Sequence, residues 1–351
     1  MRIAIYGDVH WSQNSSIIRS MGNSYSSRLE NLIRSLNWAE ECAFNHGCSA
    51  VIILGDFFDS NVLNSIEVSA LHEIKWAPIG HIFITGNHET NVSSLEYSTS
   101  DVFKLCPNAQ VINKPEHYLV EGTTAEFCFL PYILERDRQS LDTYFPPKSP
   151  NINRIIFSHN DIKDIQYGPF KSVEGFTIEE IHDNCDLMFN GHIHHCQCIT
   201  DKIFHTGNLS GQNFTEDAFK FEHTMQILDT ETLHYDIYEN PYAYNFYKID
   251  CTFVTTEQEF LDQFTKVKRN AVITLKIKDS MKDYAQAFLE ANKEIIVESR
   301  LLIEHDLATI TDDLNSQLIE GVDHLCQFEK YVLTNIGNNE IIQEELLKVT
   351  R

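Results

Sequence analysis

Five times in the first 195 residues the chain repeats one arrangement: a short apolar run stops, and a turn built on Gly, Ser or Asn delivers Asp, Asn or His. RIAIY (2–6) leads into GDVH, AVIIL (50–54) into GDFFD, and HIFI (81–84) into TGNHE. RIIF (154–157) leads into SHN, and CDLMF (185–189) into NGHIHH. Runs of this length, rich in Ile, Val and Phe with few polar residues, read as strands buried on both faces. Between the first two, Ser27 to Asn45 places Leu29, Leu32, Ile33, Leu36 and Ala43 at helical spacing, with His46-Gly47 as the stop signal. Strands alternating with helices predict an α/β architecture, in which ligands gather at the carboxyl ends of strands. Five polar clusters at five strand ends are therefore expected to meet.

Asp8 and His10 stand two apart, so an extended backbone would project both from one face. Asp56 follows the second run. Asp59, a turn later, reads as a helix N-cap in preference to a carboxylate that supports a ligand. Asn87 and His88 follow the third run; His159, His192 and His194 follow the last two. Carboxylate, amide and imidazole ligands suit manganese, iron or zinc rather than calcium. The set is too large for one ion but suits two ions sharing a carboxylate, and metals about 3.5–4 Å apart serve in-line attack at phosphorus. Singly each cluster is weak, because an Asp at a strand end often caps the next turn; the ordered set is what carries weight. His46, His72, His81, His117, His205 and His223 lack such context and are expected in surface or core roles. In GHIHHCQC (191–198), His195 would point away by strand alternation, and Cys196 and Cys198 have no second cysteine pair with which to hold zinc.

Composition limits how such a site is used. With 27 Lys and Arg against 51 Asp and Glu, the formal charge is −24. Proteins that grip DNA through its backbone do so with cations that release counterions. A polyanionic substrate would here need metal ions and a partner subunit to supply positive charge. Charged residues interrupt every apolar run before the ~18 residues of a membrane span. The N-terminus, MRIAIYGDVH, is expected to be a buried strand rather than a signal peptide. Nine scattered cysteines, several inside apolar runs such as EFCFLP, suggest reduced thiols and a cytoplasmic protein.

A second unit starts near residue 240. The pattern predicts a strand over Tyr247–Asp250, a helix over Thr256–Val267 and a strand over 271–277. A helix over Lys282–Asn292 and a strand over Ile295–Ile303 follow, with no catalytic residue types clustered among them. Leu318, Val322, Leu325 and Val332, then Ile342, Leu346 and Val349, mark two short amphipathic helices broken at Gly337. These would either pack on the body or dock on a partner.

Taken in order, GDVH, GDFFD, GNHE, SHN and GHIH resemble the calcineurin-like metallophosphoesterase superfamily. The spacing, the GDxFD form and the added C-terminal units are similar to its SbcD-type branch, the nuclease subunit of double-strand-break repair. The short chain and tail look most like bacteriophage members. The resemblance implies a two-sheet α/β sandwich over 1–240, a small α/β capping domain over 241–305 and a helical tail over 306–351 as the candidate dock for an ATPase. It implies one metal held by Asp8, His10, Asp56 and His194, and another by Asp56, Asn87, His159 and His192. His88 would face the scissile phosphate and protonate or stabilise the leaving oxygen, with Asp59 and Glu89 as candidates for supporting the ligands. Two divalent ions are implied, manganese foremost, with magnesium, iron(II) or zinc as alternatives, and a water activated between them as nucleophile.

The implied activity is 3′-to-5′ exonuclease action on duplex DNA ends and endonuclease action on single strands. The implied assembly is a homodimer within a heterotetramer with an SbcC-like ATPase, in the host cytoplasm if phage-encoded. That branch commonly has Asp after Asn-His, where this chain has Glu89. Glu89 and the charge favour an alternative, a phosphatase or phosphodiesterase acting on nucleotides or phosphoproteins. A non-catalytic scaffold is disfavoured by the intact ligand set.

Overall fold

The computed structural model describes residues 1–14, 25–91, 94–167 and 170–304. The expected helical tail lies outside the described residues.

Two six-stranded sheets form the body. One runs in the order Tyr235–Glu239, Thr224–Asp229, Arg2–Tyr6, Ala50–Ile53, Gly80–Ile84, Ala109–Ile112. The other runs Gln197–Cys198, Ile203–His205, Leu187–Asn190, Asn153–Ser158, Ala125–Leu130, Glu116–Leu119. The last four strands of the first sheet are mutually parallel. So are the middle four of the second, and antiparallel partners complete both sheets.

Side chains alternate between two apolar layers, which explains the unbroken hydrophobic runs. Ile3 and Ile5 face Phe127, Phe129, Ile155, Phe157 and Phe189 in the layer between the sheets. Ala4 and Tyr6 point outward onto the helix Ser27–Asn45, beside Leu29, Leu32 and Leu36. On the opposite outer face Cys128, Ile156 and Met188 pack with Ile181 of the helix Ile178–Asn184. Full burial of each such side chain contributes about 1.5–3 kcal/mol, so either face of these strands justifies its apolar residues. The result is a helix–sheet–sheet–helix sandwich of the expected class.

The helix Ser27–Asn45 starts where Ser26 accepts a hydrogen bond from Leu29 N and ends at His46, with Gly47 at φ +69°. The strand Thr224–Asp229 pairs antiparallel with Arg2–Tyr6, so the first strand lies inside its sheet. The carboxyl ends of five strands, at residues 6, 53, 84, 158 and 190, meet at one edge of the sandwich, where Asp56 contacts His159 across the two sheets.

A separate parallel sheet, Asn245–Asp250, Ala271–Lys278 and Ile296–Glu304, covers its own core with the helices Glu257–Asp262 and Lys282–Ala291. Ala218 N and Gly211 N donate to the carbonyls of Phe246 and Tyr244, tying this sheet to the loop after the second sheet. The helix expected over Thr256–Val267 is shorter. Thr256 and Glu259 form a capping box, but Phe264, Thr265 and Val267 donate to carbonyls three residues back and wind a tighter turn. Phe264 and Val267 still reach the core, which is why the apolar spacing overstated the helix. Among the described residues no helix is long and apolar enough to cross a membrane, and the eight described cysteines are free.

Candidate metal centre

The parallel ladder continues beyond the ends of the strands. Asp8 N donates to Gly55 O at 3.1 Å and His10 N to Asp56 O at 2.9 Å, so the GDVH and GDFFD turns run side by side. Asp8, His10 and Asp56 take φ of +49°, +49° and +45°, and His192 takes +73°. The common face expected for Asp8 and His10 therefore does not come from extended backbone. Left-handed turns aim these side chains, at a cost of about 1–3 kcal/mol each that the surrounding hydrogen bonds offset. Residues 191–196 are likewise not a strand. His195 does leave the cluster, but it does so by stacking on Phe221, with ring centroids 3.9 Å apart.

Two glycines make the close packing possible. A Cβ on Gly86 would stand 2.2 Å from Asp56 Oδ1, and one on Gly191 would stand 2.4 Å from Leu54 O. Only a residue without a side chain lets the GNHE and GHIH turns approach.

Ligand-type atoms then fall into three overlapping groups. Asp8, His10 and His194 form one, Asp56, His159 and His192 another, and His10, Asp56 and His88 a third that links them through His10 and Asp56. His10 Nε2 lies 4.0 Å from Asp8 Oδ1 and 3.8 Å from Asp56 Oδ2. His159 Nε2 lies 3.2 Å from Asp56 Oδ2, and Asn87 Oδ1 is 3.0 Å from both His159 Nε2 and His192 Nδ1. All eight residues expected at the site converge. His88 stands at the rim with its side chain 42 % exposed, and its Nε2 is 4.0 Å from Asp56 Oδ2.

The hydrogen bonds at the far side of each ring decide what the cluster can hold. His159 Nδ1 donates to Leu54 O at 2.6 Å, and His10 Nδ1 to Asp59 Oδ1 at 3.0 Å. His194 Nδ1 faces Glu216 Oε1 at 3.5 Å, and His192 Nε2 faces Asp161 Oδ2 at 3.4 Å. With protons held there, the neutral form of each of the four imidazoles presents a lone pair at its inward ring nitrogen, the form a cation would select over the second proton that Asp56 favours on His159. These nitrogens meet only other acceptors: carboxylates, the Asn87 oxygen and one another, with His10 Nε2 and His194 Nε2 3.0 Å apart. Acceptors converging on acceptors fit a pair of cations, and the mixed nitrogen and oxygen donors fit a first-row divalent metal.

Charge is concentrated at the centre. Burial would raise the Asp56 carboxyl, but His159, His10 and His88 hold it far below the usual range. Burial would lower His159, yet Asp56 and Asp8 push it up to about 10. Burial lowers His10. His194 is raised: burial opposes this, and Glu216 and Asp8 outweigh it.

Asp59 is not a helix N-cap. Asn64 caps the helix that follows, Ser65–Ala70, in a capping box with Glu67. Asp59 instead holds two imidazoles: its carboxylate takes His10 Nδ1, and its carbonyl takes His88 Nδ1 at 3.0 Å. Glu89, by contrast, supports no imidazole directly. Fully buried, it accepts from Phe57 N, Phe58 N, Gly86 N and Ser100 Oγ at 2.7–3.2 Å, clamping the GDFFD turn to the GNHE turn. Burial, with Asp56 nearby, pushes its carboxyl up to about 7 despite these donors.

Sequence reasoning missed Asp161, Glu216 and Arg28. Arg28 is buried on the long helix and donates to Val9 O, between two ligands, and to Gly211 O. Asp161 directly follows SHN, so its position was a usable signal; Glu216 and Arg28 arrive from remote segments that carry none.

The calcineurin-like phosphoesterase family model matches residues 1–196, and the chain belongs to that family. The chain is therefore a phosphoester hydrolase of the metallophosphoesterase fold, a family that typically binds two divalent metals. Similar solved structures include a Thermus thermophilus protein, 11 % identical with TM-score 0.39, covering 68 % of this chain and 98 % of its own. A hypothetical protein of Thermus thermophilus is 12 % identical with TM-score 0.36, covering 69 % and 100 %. A dimetal phosphatase from Danio rerio is 12 % identical with TM-score 0.33, covering 68 % and 99 %. No curated protein sequence matches the chain.

Proposed function

We propose that the chain is a dinuclear-metal phosphodiesterase of the SbcD-type branch, cutting DNA as the nuclease subunit of a repair or recombination complex. The observation that carries this reading is the pair of ligand groups that share Asp56, one with His159 and His192 and one with His10 and His88, the His88 ring standing at the exposed rim. Asp8, His10, Asp56 and His194 would hold one cation, and Asp56, Asn87, His159 and His192 the other, manganese being the first choice. Bound there, the cations would polarise a phosphate oxygen and lower the pKa of water to make a nucleophile at neutral pH.

The chain's own groups supply the rest. Asp59, Glu216, Asp161 and the Leu54 carbonyl fix the tautomers that turn lone pairs inward. His88 donates its Nδ1 proton to the Asp59 carbonyl, which leaves Nε2 to carry or release the mobile proton at the leaving oxygen.

The reading extends to partners. An acidic subunit of charge −24 fits a complex in which an SbcC-like ATPase grips the DNA, with two copies of each chain, in the cytoplasm of a host if the gene is phage-borne. The same charge favours the second reading, a phosphatase or phosphodiesterase acting on nucleotides or phosphoproteins. Glu89 no longer bears on that choice, because its carboxylate clamps two turns away from the reacting face.

The test is purified protein with manganese on linear duplex, single-stranded DNA and small phosphoesters, with and without the ATPase. Manganese-dependent release of nucleotides is expected. Turnover of phosphomonoesters with no DNA cleavage under any condition would overturn the nuclease reading in favour of the phosphatase.

A further inference from the structure

Beside the His192–His194 end of the metal centre lies a cavity of about 530 Å³. Its walls include His195, Phe214, Phe219, Phe221, Lys220 and Lys248. Two links fix it against the centre. Glu216, which faces His194 Nδ1, also lines the cavity. The loop that sets Asp161 against His192 continues to Gln166, another part of the wall.

The wall is rich in flat rings. Four of them share one concave surface with Lys220, Lys248, Glu216 and Asp217. His195 and Phe221 stack with planes 1° apart, Phe214 meets Phe246 edge-on at 5.1 Å, and Phe219 meets Tyr247 at 4.7 Å. These contacts hold the rings in fixed orientations. Phe219 nonetheless leaves 42 % of its surface to solvent. His195 Nδ1 is buried without a hydrogen-bond partner among the described residues, a polar edge next to the apolar faces. Lys220 is paired with Asp217 at 2.9 Å, whereas Lys248 is exposed and has no acidic partner among the described residues.

Rigid aromatic faces, one polar edge and a cation at the rim suit a planar heterocycle carrying a phosphate. Stacking on protein rings accepts any base, because every base offers a π-face. The volume lies within the roughly 300–1,000 Å³ of ligand cavities. We infer that this pocket seats the nucleobase adjoining the phosphate held at the metal centre, stacked against Phe219 and Phe221 with Lys248 near its backbone. The inference rests on the phosphodiesterase reading for the identity of that phosphate. Occupied this way, the pocket selects nucleotide esters over base-free ones and requires a base of a DNA strand to leave its stack.

The experiment titrates full-length protein with two probes whose fluorescence changes on stacking: 2-aminopurine deoxyriboside 5′-monophosphate, and a short single strand carrying one 2-aminopurine. Saturable quenching is expected. Phe219→Ala should weaken binding about tenfold, Phe219→Trp should restore it, and Lys248→Gln should weaken it less. Quenching of the strand alone supports a base presented by DNA; quenching of both probes supports a base taken from either source. No saturable quenching of either probe, or equal quenching by Phe219→Ala and wild type, overturns the inference. Base binding that persists in a protein found to cut no phosphodiester would remove the nuclease reading and leave the pocket standing.

Discussion

His10 Nε2 and His194 Nε2 face each other across 3.0 Å, while the opposite nitrogen of each ring points at a carboxylate, Asp59 for His10 and Glu216 for His194. The carboxylates keep the protons outside, so the inner nitrogens are ready for a cation. Asp59→Asn and Glu216→Gln should each weaken metal affinity by about 10–100-fold, with little change in the metal-saturated rate. Activity measured across a manganese titration checks this; a fall in the saturated rate without a shift in the metal midpoint would assign these residues another role.

His88 has a separate duty. His88→Gln should lower turnover by about 10²–10⁴-fold and leave metal content unchanged, because its ring sits at the rim of the ligand groups. Turnover and metal content are measured on the same preparation, and loss of an ion would make His88 a ligand.

Glu89 joins two site turns through four accepted hydrogen bonds. Glu89→Ala strands several buried donors at about 1–3 kcal/mol each, so the variant should unfold at a denaturant concentration well below that of wild type. Glu89→Gln, which turns an amide group toward a donor, should fall between the two. Equal midpoints for all three proteins would show that the clamp is not structural.

His205 links stability to pH. It is fully buried, and burial lowers its pKa from 6.5 to about 4. Asn190 Nδ2 donates to its Nδ1 at 3.3 Å, so the neutral ring fits. A depressed folded pKa means the stabilisation is complete above pH 6.5 and is lost as pH falls toward 4, by on the order of 3 kcal/mol. His205→Gln should flatten that part of the acid limb in urea melts between pH 7 and 4. An unchanged slope would show that other groups control it.

Much of this was legible in the sequence because it is local. The run RIAIY ends at Tyr6 as expected, and Ser27–Asn45 is the helix its spacing announced. The polar turns meet because their strands are parallel neighbours. What escaped is tertiary. Nothing local says that Asp8 and Asp56 take left-handed backbone, since the reason is the neighbouring turn each donates to or accepts from. Asp59 resembled a cap because an Asp before a helix usually is one, and Asn64 took that place. Glu216 reaches His194 from a segment with no strand-end signature at all.

The central claim is that Asp56 joins two cation sites in one chain. Calorimetric titration of metal-stripped protein with manganese, in wild type and Asp56→Asn, tests it most directly. Two ions per chain are expected in wild type, with both sites weakened by the single substitution. One ion per chain in wild type, or loss of only one site in Asp56→Asn, would contradict it.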